Sequence, residues 1–212
     1  MTLRRIFTSQ SDFANLSRAK TVEPPPRAED YSQVIVNKPW GFEYLFFETP
    51  RSAGWLLSIS QDRATSTHCH VIKKTSLVVL SGAAVCRTLD GDYRLGPGDV
   101  IVFHPKVFHS TRAVAPGTWV LEIETPVLKG DLVRLADAYG RAGTAYEGKQ
   151  HHQTLDPASF PRIVDEKPKT IAGWTFQRRT AVSTECQRCA LIDGEPRPVN
   201  RKNAFLADPL GE

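Results

Sequence analysis

The chain has 212 residues, 41% hydrophobic and 24% charged, enough for one sizeable core with residues left over for extensions. Its formal net charge of +4 is spread along the whole length, which argues against a basic nucleic-acid-binding stripe and still allows a small anionic ligand. No apolar run is long enough for a membrane span or a secretory signal, and four cysteines do not make a disulfide framework at this size, so a cytoplasmic protein is expected, with neither nucleic acid nor membrane as partner.

Residues 1–30 read as an N-terminal arm with a Pro-rich linker. The stretch 9–20 is expected to form a short helix capped by Ser11 or Asp12, and Pro24–Pro26 then stop regular structure because proline donates no backbone hydrogen bond. From Tyr31 the texture changes to short apolar runs divided by turns. The segments 32–40, 41–49, 54–62, 75–82, 83–95, 99–105 and 118–126 each fit strands, with Asp90-Gly91 as a hairpin signal and Gly82, Gly96–Gly98 and Pro116-Gly117 as further turns. Many short strands without intervening helices predict an all-β jelly roll or sandwich. The segment 130–143 is expected to be a helix, with Leu132, Leu135 and Ala136 on one face and Gly140 as its stop. Residues 31–149 would thus be a barrel with a following helix. Residues 150–212 would be an irregular extension packed on the barrel or on a partner subunit, with short strands near 174–181 and 188–192.

His68 and His70 stand two apart in an extended segment, so they project from the same face about 7 Å apart along the chain. Cys69 between them points to the other side. His109 follows a further apolar strand on a Pro-containing loop, and three imidazoles of this kind suit one divalent transition ion. Cys186 and Cys189 form a lone Cys-x2-Cys, too few ligands for a structural zinc site, and read as ordinary buried thiols.

These residues resemble the two metal-binding motifs of the cupin superfamily, whose fold is a double-stranded β-helix. In the first, His-x-His-x(3,4)-Glu-x6-Gly, His68, His70 and Gly82 match while Thr75 stands at the acidic position. In the second, Gly-x5-Pro-x-Gly-x2-His, Gly98 and His109 match, with His104 at the proline and Lys106 at the glycine. A narrower likeness covers residues 35–142: the segments 37–46, containing Lys-Pro-Trp-Gly, and 122–141, containing Asp-Leu-Val-Arg and Tyr-Gly-Arg, look like the isomerase part of type II phosphomannose isomerases. The resemblance implies one metal ion (Zn, Mn, Fe, Ni or Co), a small sugar or sugar-phosphate substrate, and a homodimer.

With Thr75 in place of an acid, the metal shell is expected to be completed by water and substrate, or by Glu122 or Glu124, which share a strand face. The expected reaction is aldose–ketose isomerisation or epimerisation. Its base would come from Glu122, Lys73, His104 or Glu124, with Glu122 favoured because a carboxyl on a half-buried face beside a metal titrates in a useful range. Arg134 and Arg141 are candidate anion or substrate anchors, since guanidinium binds two oxygens at once. Trp40 and Tyr44 are candidates for the pocket mouth. Two other functions fit the same residues: a sugar-binding cupin without turnover, and a three-histidine metal dioxygenase.

Overall fold

In a computed structural model, residues 1–19, 30–141, 146–165 and 167–177 are described. The chain starts with β1 (Leu3–Ile6) and α1 (Gln10–Leu16), then runs through β2 (Val34–Lys38), β3 (Gly41–Glu48), β4 (Ala53–Ile59), β5 (Thr67–Cys69) and β6 (Lys74–Ser81). It continues with β7 (Ala84–Thr88), β8 (Asp92–Leu95), β9 (Val100–Phe103), β10 (His109–Ala113), β11 (Thr118–Thr125) and β12 (Val133–Ala136). After β13 (His152–Thr154) a small hairpin, β14 (Lys169–Ile171) and β15 (Trp174–Phe176), ends the described chain.

Two sheets face each other. The larger has the order β1-β9-β6-β11-β4-β3-β2-β13 and the smaller β12-β5-β10-β7-β8. Every second strand residue points between them, so Trp55, Leu57, Leu77, Val79, Ile101, Phe103 and Val120 form the inner core. This is the all-β jelly roll expected from the spacing of strands and turns. Gly82 holds φ +69 at the β6–β7 turn, where an added Cβ would lie 2.7 Å from the Thr118 backbone, so no side chain fits.

Both outer faces are covered by the extensions. Against the large sheet, Leu155, Phe160, Ile163, Trp174 and Phe176 pack on Tyr44, Phe46, Leu56, Leu80 and Leu121. The Trp174 indole N–H also donates to the Leu80 carbonyl at 2.9 Å. Against the small sheet, Leu16 and Ala19 cover Cys69, Phe108 and Val133.

The N-terminal arm is therefore part of the fold. β1 adds to the large sheet as a parallel neighbour of β9, from Leu3 opposite Val100 to Ile6 opposite Phe103. The helix exists, but its cap is Ser9 and not Ser11 or Asp12. Asp12 instead occupies the third helical position of a capping box, receiving the Ser9 N–H at 2.9 Å on one oxygen. Its other oxygen receives the Phe108 N–H at 2.9 Å, which ties the helix to the backbone just before His109.

The expected helix over 130–143 is absent among its described residues. Val133–Ala136 is a strand, with Val133 opposite Cys69 and Arg134 opposite His68. Leu-Val-Arg-Leu fits either period, and the open edge of β5 decides it. Val133 and Leu135 face α1 while Arg134 turns to the cavity, an alternation of two. Residues 20–29, 142–145 and 178–212, with the Pro-rich linker, Cys186, Cys189 and the strand expected near 188–192, lie outside the described residues. Among those described, no helix is long and apolar enough to cross a membrane.

Candidate metal centre and its cavity

β5 turns His68 inward and buries Cys69 under α1, and His70 follows at the strand end. His109 opens β10 directly opposite His68, so it lies on a strand and not on the loop expected before it. The pairing brings the three rings together, with centroids 5.1 Å (His68–His70), 4.7 Å (His68–His109) and 5.6 Å (His70–His109) apart. One ligand nitrogen from each lies within 4.8 Å of the others.

The tautomers are fixed by what the rings touch. His68 Nδ1 faces the Ser66 carbonyl at 2.8 Å, His70 Nδ1 the Asp131 carbonyl at 2.6 Å, and His109 Nδ1 the Val107 carbonyl at 2.9 Å. A carbonyl only accepts, so each Nδ1 carries the proton and each Nε2 keeps a lone pair for an ion. His70 Nε2 is buried without a hydrogen-bond partner. Burial holds all three imidazoles below their ordinary pKa, His109 at about 4, so they are neutral donors at neutral pH. Phe103 stacks on His109 with centroids 4.0 Å apart and fixes its ring plane. These donors fit a divalent transition ion.

Thr75 is fully buried, and its hydroxyl has no hydrogen-bond partner. Glu122 and Glu124 both face inward, as their spacing required, yet neither belongs to the ligand cluster, which among the described residues contains only the three histidines. Glu124 is committed elsewhere: it pairs with the Lys73 ammonium and accepts the Trp55 indole N–H at 3.1 Å. Glu122 lines the cavity and makes no hydrogen bond or ion pair among the described residues. Burial raises its pKa, only partly opposed by Lys129 and Lys73.

The cavity continues from His68 and His70 past Trp40 to a dense charged wall. Glu147 receives Lys38, Arg134 at 2.9 Å and Arg141 at 2.5 Å. Glu43 receives the Tyr146 hydroxyl and Lys129 at 3.0 Å, with Lys38 at 3.5 Å. Lys129 also lies over the Trp55 ring at 3.5 Å, a cation–π contact. Arg141 holds Asp137 in a two-point pair at 3.1 and 2.8 Å.

Of the residues singled out in the sequence, His68, His70, Lys73, Glu122, Arg134, Arg141 and Trp40 line this cavity. Tyr44 does not. It stands between inward-facing Glu43 and Leu45, so it points outward, against Phe160 and the Pro161 carbonyl. His104 does not either. It stacks on Phe7 of the N-terminal arm at 4.2 Å, outside the cavity lining, which removes it as a base. Lys73 lines the cavity, but its ammonium is paired with Glu124, which leaves no lone pair for base chemistry.

Sequence reasoning missed Lys38, Glu43, Lys129, Asp131, Tyr146 and Glu147. The first four sit inside the two segments that carried the isomerase likeness, which was the available signal.

Asp131 orders the loop between the paired histidines and Lys73. Its carboxylate accepts three successive backbone N–H groups, from Val71, Ile72 and Lys73, each at 2.8 Å. Its carbonyl meanwhile takes the His70 Nδ1 proton. Asp131→Ala is expected to weaken zinc binding about 10–100-fold, as for other groups that orient a ligand. Competition with a chelating dye measures this, and unchanged affinity removes Asp131 from the centre.

No family model matches the chain, and no curated protein matches it. Among solved structures it is similar to KdgF from a Halomonas species, at 21% identity over 43% of this chain and 84% of that one, TM-score 0.42. It is also similar to the capsular polysaccharide assembling protein CapF of Staphylococcus aureus, at 16% identity over 51% of this chain and 34% of that one, TM-score 0.45. A third is a sugar phosphate isomerase from a cupin superfamily of Silicibacter pomeroyi, at 19% identity over 41% of this chain and 59% of that one, TM-score 0.37. The match thus spans under two thirds of the second and third proteins.

Proposed function

We propose that this chain is a metal-dependent sugar isomerase or epimerase of the cytoplasm. The observation that carries the reading is a cavity lined by His68, His70 and the unpaired inward carboxyl of Glu122, with His109 clustered beside the two histidines. A divalent ion held by His68, His70 and His109 would act as a Lewis acid on an aldose or ketose, stabilising negative charge that develops on its C1 and C2 oxygens.

The residues around it handle the proton. As carboxylate, Glu122 accepts the C2 proton and returns it to C1; burial raises its pKa, which makes it a stronger base than an exposed carboxylate. Lys73 faces the same space, and its charge is balanced by Glu124, so it orients oxygens by donating hydrogen bonds and takes no part in the proton transfer.

The test is exchange of the C2 proton in deuterated water, followed by NMR on metal-loaded protein with a panel of aldoses. Glu122→Gln is expected to lower the exchange rate about 10²–10⁴-fold with metal content intact. Full exchange by Glu122→Gln removes Glu122 as the base. Absence of exchange with any sugar leaves a binding protein if the sugars bind. The carboxylate-free ligand set also fits an oxygen-using metal enzyme, and oxygen consumption with diphenols or thiols would support that reading.

A further inference from the structure

The charged wall of the cavity separates two substrate classes, sugars and sugar phosphates. Its cations are Lys38, Lys129, Arg134 and Arg141, and every one already meets a carboxylate. Lys38, Arg134 and Arg141 converge on Glu147, Lys129 on Glu43, and Arg141 also on Asp137. The fifth cation of the lining, Lys73, is paired with Glu124. The cations therefore do not form a cluster awaiting an anion.

We infer that the wall formed by Glu43, Lys38, Lys129, Tyr146 and Glu147 recognises the hydroxyl groups of an unphosphorylated aldose or ketose, and that it disfavours a phosphate ester. This rests on the sugar reading above and narrows it. A phosphate entering here would lie against two carboxylates. Burial alone would push Glu43 and Glu147 up, but the adjacent ammonium and guanidinium groups hold both below the ordinary range, which favours their charged forms. To bind, the phosphate would have to share lysines or arginines with these buried carboxylates and lie beside their negative charge.

A hydroxyl asks for nothing of the kind. It donates to a Glu43 or Glu147 oxygen and accepts from a lysine N–H without breaking either pair. Trp40, in the lining, offers an apolar face to the C–H side of a sugar.

The experiment is calorimetric titration of zinc-loaded protein with D-mannose, D-glucose and D-fructose, each against its 6-phosphate, at low and high salt. At least one free sugar is expected to bind about 10-fold or more tightly than its own phosphate, an advantage of about 1.4 kcal/mol. Glu43→Gln, which frees Lys129 from its carboxylate, is expected to improve phosphate-ester binding about 10-fold and weaken the free sugar. Glu147→Gln serves as a second variant should the first fail to fold. A phosphate that binds more tightly than its parent sugar in the unaltered protein overturns this inference and leaves the sugar reading standing. If no sugar of either form binds while the protein holds its metal, the sugar reading falls and this inference falls with it.

Discussion

His109→Ala should lose the metal ion altogether, while the fold survives. His109 faces His68 across the β5–β10 pairing and is tethered through Nδ1 to its own strand entrance, and among the described residues no fourth side chain belongs to the ligand cluster. Removing one of three donors is expected to cost more than the roughly 10–100-fold loss typical of supporting residues. The unaltered protein, given zinc at about 1,000 times its dissociation constant, should gain about 4 kcal/mol, by RT ln(1 + [L]/Kd). For a chain of this length that is a rise in Tm of roughly 8–16 °C, reversed by a chelator. His109→Ala should show almost none of this rise. Cys69→Ala, on the same strand as His68 but under α1, should keep it. Circular dichroism confirms that both variants fold, and His68→Ala repeats the test from the other strand. A zinc-induced rise in His109→Ala equal to that of the unaltered chain would remove the metal centre.

The His68–His70 pair was legible because extended backbone leaves no choice: residues two apart share a face, whatever the rest of the chain does. The same parity put Glu122 and Glu124 on one inward face and only needed the sheet to say which side was in. Parity also decides Tyr44, a pocket-mouth candidate on its aromatic type alone. Tyr44 is an aromatic residue near the cavity in sequence, but it alternates with Glu43 and Leu45 and falls on the outer face. Leu132–Ala136 carried no local information that separates helix from strand, and the β5 edge settled it from outside. The charged wall was hidden for a different reason. Lys38 meets Glu147 across 109 positions, and Tyr146 meets Glu43 across 103, so no window of sequence contains both partners. Composition gave the right number of charges and said nothing about their pairing.

Those long-range pairs set up the largest stability effect expected here. Glu147 is buried and holds Lys38, Arg134 and Arg141 together, tying β2, β12 and the segment after β12 around one carboxylate. Glu147→Ala leaves Lys38 with only the more distant Glu43, Arg141 with Asp137, and Arg134 without the carboxylate it meets here. Stranding buried charge in this way costs about 3–5 kcal/mol, or roughly 6–20 °C in Tm. The pH dependence follows from the sign of the shift. Burial pushes the Glu147 carboxyl up, but Lys38 and Arg134 outweigh it, so the folded pKa lies below the unfolded one. The stability it contributes is therefore fully present above the unfolded value of about 4.3 and is lost as pH falls through the folded one. Urea melts of the two proteins should differ most at neutral pH and converge in acid. Equal midpoints at neutral pH, or a gap that widens on acidification, would show that the three cations do not depend on this carboxylate.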